Sequence, residues 1–177
     1  MISLPRAGWW LAPILCALLA NSAAAGLRLD PNPRWRHAQD VQALIAILDT
    51  WLDATAPWER RAAPPRVRIV SEEELRTVAG PARRNHGRTR GLYDAEETVI
   101  YIAAPWNPRD AEDVSVLLHE LVHHRQAPHH WYCPGAQEEA AYELQDDWLR
   151  IRGLRSDVNW IAVTLEAGCT PKDIHPE

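Results

Sequence analysis

Hydrophobic positions change their period along the chain, and the changes mark out its elements. From Ala38 to Asp53, Val41, Leu44, Ile45, Leu48 and Leu52 recur at helical spacing with Asp40, Gln42 and Asp49 between them, which predicts an amphipathic helix packed on a core. Trp51 extends its apolar side, and Pro57, Pro64 and Pro65 close the segment. The stretch before it, Gly26 to Arg36, carries Pro31 and Pro33 and reads as an extended lead-in. Arg66 to Val70 alternates charged and apolar residues, as a short half-buried strand does. Ser71 followed by Glu74 forms a capping box for a short helix ending near Gly80. Gly91–Tyr93 and Thr98–Ala103, joined by Asp94–Glu97, predict a hairpin in which Val99, Tyr101 and Ala103 alternate with Ile100 and Ile102.

The period then lengthens again. Asp110 can cap a helix with Glu112 and Asp113 in its first turn, running to about Gln126 and halted by Pro128. Its apolar residues, Val114, Val116, Leu117, Leu118, Leu121 and Val122, cover more than one face, so the helix is expected to be central and buried. Further helices are expected from Ala136 to Arg152 and from Val158 to Glu166, with Gly168 just past the end. The fold class is therefore α+β: a short mixed or antiparallel sheet packed on a central helix and a second helix, with a hairpin edge along which an extended peptide can lie.

Composition limits the domain count. With 177 residues, 46% of them hydrophobic, one compact domain over residues 26–177 is expected. Residues 1–25 have the layout of a secretory signal peptide: Arg6, the apolar run Trp9 to Ala20, and a small-x-small pattern at Ala23 and Ala25. Pro13, Ile14 and Leu15 before Cys16 are not the small residues of a lipoprotein signal. A secreted or periplasmic protein follows, with no membrane association once the signal is removed. Its removal takes away Arg6 alone and moves the formal charge from −5 to −6, which gives no support to nucleic acid or an anionic membrane as partner. A monomer acting on a peptide or protein is the expectation. Arg83, Arg84, His86, Arg88 and Arg90 form a basic loop, read as solvated or as a flap meeting acidic substrate groups.

Within the central helix, His119, Glu120 and His123 spell His-Glu-x-x-His. Both imidazoles leave one helix face and can meet a single metal ion, with Glu120 beside it. Burying three such side chains in apolar surroundings without partners would cost several kcal/mol, and a bound metal offsets that. Two imidazoles and one further ligand leave a fourth zinc position for water, whose pKa zinc lowers to about 7. Glu120 can take the proton of that water and pass it to the leaving amine of a peptide bond. His124 points away from the metal face and is expected at the surface or in support of the site.

The third ligand has three candidates. His129 stands ten residues after His119, the offset of the third histidine in metzincin peptidases, but Gln126 occupies the turn where that class has glycine and the only methionine is Met1. Glu138 aligns with Ala141, Tyr142, Gln145, Trp148 and Leu149, the face expected to meet the motif helix. Glu139 aligns with Glu143, Asp146 and Arg150 on a solvated face, so Glu138 is preferred.

His-Glu-Leu-Val-His, a short connector and a second helix with Glu138-x-x-Ala141 resemble the gluzincin arrangement of zincin metallopeptidases, especially small bacterial ones with a minimal catalytic core. The resemblance spans mainly Tyr93 to Arg152 and implies a zincin-like domain holding one zinc ion through His119, His123 and Glu138, with Glu120 as general base. Tyr142 stands where many gluzincins have an aspartate that orients the first histidine. No further domain is expected to supply an oxyanion donor, so Tyr132, His129, His130 and His86 become the candidates. Trp106, Trp131 and Trp160 line a cleft or, more commonly for tryptophan, fill packing.

Cys133 and Cys169 remain after signal removal, and export favours a single disulfide over two buried thiols. Such a bridge would tie the connector Ala127–Gly135 to the tail behind the last helix. Two function classes emerge: a secreted zinc peptidase, and a catalytically weak zinc-stabilised domain that binds a protein through its cleft or sheet edge.

Overall fold

The computed structural model describes residue 30, residues 32–80 and residues 89–169, so the expected signal segment and His86 lie outside the described residues. Its elements are α1 (Val41–Thr55), β1 (Arg66–Val70), α2 (Glu72–Ala79), β2 (Gly91–Asp94), β3 (Val99–Ala103), α3 (Ala111–Gln126), α4 (Glu138–Arg150) and α5 (Trp160–Ala167). This is a small α+β domain with a three-stranded mixed sheet. β3 is central, with β1 parallel to it and β2 antiparallel, pairing Gly91 with Ile102 and Asp94 with Val99.

The hairpin alternation has a direct structural reading. Ile100 and Ile102 enter the main core with α3, whereas Val99 and Tyr101 join Val70, Leu75 and Leu92 under α2. Both faces of β3 are thus covered, which is why its sequence is apolar throughout. β1 departs from the expected half-buried alternation. It is an edge strand, and of its five residues Val70 is buried while Ile69 is 51% exposed.

α3 carries the centre of the core. Leu117, Leu118, Leu121 and Val122 pack among Leu44, Ile45, Leu48 and Leu52 of α1, the β3 isoleucines, and Ala141, Trp148 and Leu149 of α4. Asp110 caps α3 by accepting from the Asp113 amide at 3.0 Å. Near the other end the buried Arg125 donates to Asp49 of α1 at 2.7 Å and to Asp53 at 2.8 Å, so a charged clamp fixes the motif helix against α1.

Several boundaries differ from the sequence expectations for identifiable reasons. α1 begins at Val41, since Asp40 accepts from the Ala43 amide at 2.8 Å and is a cap rather than a helical residue. The proline-containing lead-in is not simply extended: Pro33–His37 forms a 3-10 turn that buries Trp35 edge-on against Trp148. Arg152 lies over Trp148 with its guanidinium 3.6 Å from the ring centre, and burial lowers its pKa to about 10. Only half of the capping box forms: Ser71 accepts from the Glu74 amide, while the Glu74 carboxylate pairs with Arg68. α4 is shorter than expected at its start because Pro134–Gln137 forms a 3-10 turn. α5 starts at Trp160 under an Asn159 cap, two residues after the expected start at Val158. Among the described residues, no helix is long and apolar enough to cross a membrane.

Candidate metal centre

α3 and α4 bring three potential ligands together. The Nε2 atoms of His119 and His123, one helical turn apart, stand 3.0 Å from each other, and Glu138 Oε2 lies 3.2 Å from the first and 3.4 Å from the second. Ligand atoms of His119, His123 and Glu138 all fall within 4.8 Å of one another, so the group can hold a metal ion. Both imidazoles are buried and the Glu138 side chain is 20% exposed, leaving one side open. Neither His129, exposed in the connector, nor Glu139 belongs to this group.

The neighbouring side chains prepare these ligands. Gln126 donates through Nε2 to the Gln137 carbonyl at 3.1 Å, which turns its Oε1 toward His123 Nδ1 at 2.8 Å. The hydrogen on Nδ1 is thereby fixed, and the Nε2 lone pair faces the cluster. Gln126 therefore supports a ligand at the position where a metzincin has its turn glycine. The His119 ring packs on Tyr142, with centroids 4.4 Å apart, and its Nδ1 is buried without a hydrogen-bond partner. An aromatic face thus stands where the resemblance implied an orienting aspartate.

Electrostatics at the cluster favour positive charge. Burial acts to raise the Glu138 carboxyl, but hydrogen bonds and charge from His119 and His123 outweigh it and hold that carboxyl far below its usual range. Burial acts to lower His123, but Glu138, the Glu120 charge and Gln126 outweigh it and raise the imidazole above its ordinary value. A site that strengthens a proton's hold on an imidazole also attracts a metal cation, and two imidazole nitrogens with one carboxylate form a donor set that suits zinc. The residues present therefore fit a metal ion.

Glu120 is 4% exposed, and its Oε2 is buried with no hydrogen-bond partner. Its other edge lies against Gly91 at the start of β2. A buried carboxylate oxygen left without a donor costs several kcal/mol unless a proton or cation compensates.

His124 is not a surface residue. It is 3% exposed, donates from Nε2 to the Ala63 carbonyl at 3.1 Å and sets Nδ1 near the Tyr93 hydroxyl at 3.0 Å and Arg61 Nη1 at 3.2 Å. Burial first, and Arg61 second, lower its pKa and keep it neutral. Sequence spacing could not show this cluster, because Arg61 and Tyr93 come from distant segments.

The candidate oxyanion donors lie in exposed positions or outside the described residues. His129, His130 and Tyr132 are exposed in the connector, Tyr132 at 94%, and His86 lies outside the described residues. Trp131 tilts against Trp58 and donates to the Gln126 carbonyl, while Trp106 donates to the Asp113 carbonyl, so both act in packing; Trp160 is 38% exposed. Cys133 and Cys169 form a disulfide-compatible pair with Cα atoms 5.8 Å apart.

Fold and site together define a small α+β domain with a two-histidine, one-glutamate cluster able to hold a metal ion. The chain belongs to the family described as a domain of unknown function, DUF6647, whose model matches residues 37–177 and so takes in every element from α1 onward. No curated protein and no solved structure matches the chain.

Proposed function

We propose that the protein is an exported zinc-dependent peptidase with a gluzincin-type, zincin-like site, in which His119, His123 and Glu138 hold the metal and Glu120 is the general base. The observation that carries this reading is the buried Oε2 of Glu120, which has no hydrogen-bond partner, beside three converging ligand atoms. A bound zinc ion supplies a water of lowered pKa and polarises a carbonyl. Glu120 then accepts a proton from the attacking water and returns it to the departing amine, a role that needs a carboxylate with no competing hydrogen bond. Gln126 holds His123 in the ligating tautomer, and β2, an edge strand among the described residues, offers backbone groups to an extended peptide.

Metal analysis of the purified chain beside Glu138→Ala, Glu139→Ala and His129→Ala, together with hydrolysis of a peptide pool by wild type and Glu120→Gln, tests the proposal. One zinc per chain, lost with Glu138→Ala alone, and hydrolysis abolished by Glu120→Gln are the expected results. Metal loss that follows His129→Ala would reject the ligand set.

The exposure of His129, His130 and Tyr132 favours a second reading, a catalytically weak zinc-stabilised domain that binds a partner protein. Biological activity that persists in Glu120→Gln would select it.

A further inference from the structure

We propose that Gly91 is a positioning residue for Glu120: its missing side chain makes the space that the reactive carboxylate occupies. This inference rests on the assignment of Glu120 as general base. A Cβ at position 91 would stand 2.6 Å from Glu120 Oε1, 2.9 Å from Glu120 Cγ and 2.9 Å from Val116 Cγ1. Real contacts of that kind do not occur, so something would have to shift. The backbone at Gly91 is ordinary paired strand, opposite Ile102, and an alanine is conformationally welcome there. The obstacle is steric, and the three atoms nearest to the added Cβ all belong to α3 side chains.

Strand β2 is not free to retreat. At one end Arg90 forms an ion pair with Asp113 of α3, and its carbonyl accepts from the Ala103 amide at 2.9 Å. At the other, Tyr93 packs edge-on against His124 and accepts from Arg61 at 2.8 Å. The strand is thus fixed to α3 on both sides of the contact. The softest group facing an added methyl is the end of Glu120, which makes no hydrogen bond through Oε2 to resist displacement. Gly91→Ala therefore moves the carboxylate and leaves His119 and His123, on the α4 side of the helix, in place.

The test uses the full chain loaded with zinc and a peptide pool that the wild type cleaves. Gly91→Ala is expected to keep one zinc per chain, lower kcat about 100-fold and change KM by less than about threefold, as for a misplaced reacting group. An unchanged kcat in Gly91→Ala while Glu120→Gln is inactive overturns the proposal.

A second readout needs no turnover. The fall in Tm caused by Gly91→Ala should shrink by at least about half in Glu120→Ala, which lacks the Cγ and Oε1 that the methyl meets. An equal fall in both backgrounds, or a Gly91→Ala chain that stays unfolded even with Glu120→Ala, makes Gly91 a purely structural residue and overturns the proposal. Hydrolysis that survives Glu120→Gln rejects the peptidase reading instead, and the Tm coupling tells the two failures apart.

Discussion

His123 and Gln126 are joined by a buried 2.8 Å hydrogen bond from Nδ1 to Oε1, and Gln126 is itself oriented by the Gln137 carbonyl just before α4. One amide side chain thus connects the ligand helix to the segment that delivers Glu138. Removing such a support ordinarily weakens metal affinity about 10- to 100-fold. Gln126→Leu should therefore bind zinc more weakly by that factor with an unchanged fold. Gln126→Glu keeps an acceptor for the Nδ1 hydrogen but loses the donor to the Gln137 carbonyl, so its affinity should fall between those of wild type and Gln126→Leu. Competition against a chromophoric chelator measures both.

Protons and zinc should compete at the cluster in a definite pH range. His123 is raised above 6.5 in the folded metal-free protein, so its contribution to stability is complete below 6.5 and is lost as pH rises through the raised value. Glu138 is depressed below 4.5, so its contribution is complete above 4.5 and is lost as pH falls through the lowered value. The metal-free protein therefore has the full benefit of the pair between 4.5 and 6.5. Ligation needs a neutral imidazole, so zinc affinity should climb as pH rises through the His123 value. The zinc-induced gain in Tm should be larger at about pH 8 than at about pH 5.5, and should lose most of this dependence in Glu138→Gln.

What could be read from the sequence was local and periodic. His119 and His123 are four apart on a helix with apolar residues on several faces, and Glu138 lies in the apolar stripe of the next helix, so their meeting is legible in the sequence. β3 was legible for the same reason. Contacts between distant segments left no such trace. Gln126 registered only as an absent glycine, His124 as an outward-facing residue, and Gly91 as the start of a hairpin. Their roles arise from α4, from Arg61 and Tyr93, and from the closeness of β2 to α3. Trp35 was hidden by its prolines, since a 3-10 turn of five residues is too short to show a period.

The Arg125–Asp49 clamp predicts an asymmetric stability effect. Arg125 is 1% exposed and Asp49 is 6% exposed, and their bond ties α3 to α1. Arg125→Ala leaves the Asp49 carboxylate buried without its cation and should destabilise the protein by about 3–5 kcal/mol in urea unfolding. Arg125→Met combined with Asp49→Leu removes both charges and should recover most of that loss. The zinc stoichiometry of the double variant should stay at one per chain, because neither residue touches the ligands.

The Cys133–Cys169 pair encloses α4 and α5 in a loop with a sequence separation of 36, and Glu138 lies inside it. In the chain-entropy account, such a bridge contributes about 3–4 kcal/mol by restricting the unfolded chain. Cys133→Ser with Cys169→Ser should therefore lower unfolding stability by about that amount under non-reducing conditions. The ligand cluster should survive, since Ala141, Trp148 and Leu149 still bury α4 against α3, and Gly135 still packs against the Glu166 backbone. What should change is the connector between the second and third ligands, which loses its covalent tether. Zinc should then dissociate faster into excess chelator while saturating at the same stoichiometry. A double variant with wild-type dissociation kinetics would show that α4 packing alone holds Glu138 in place.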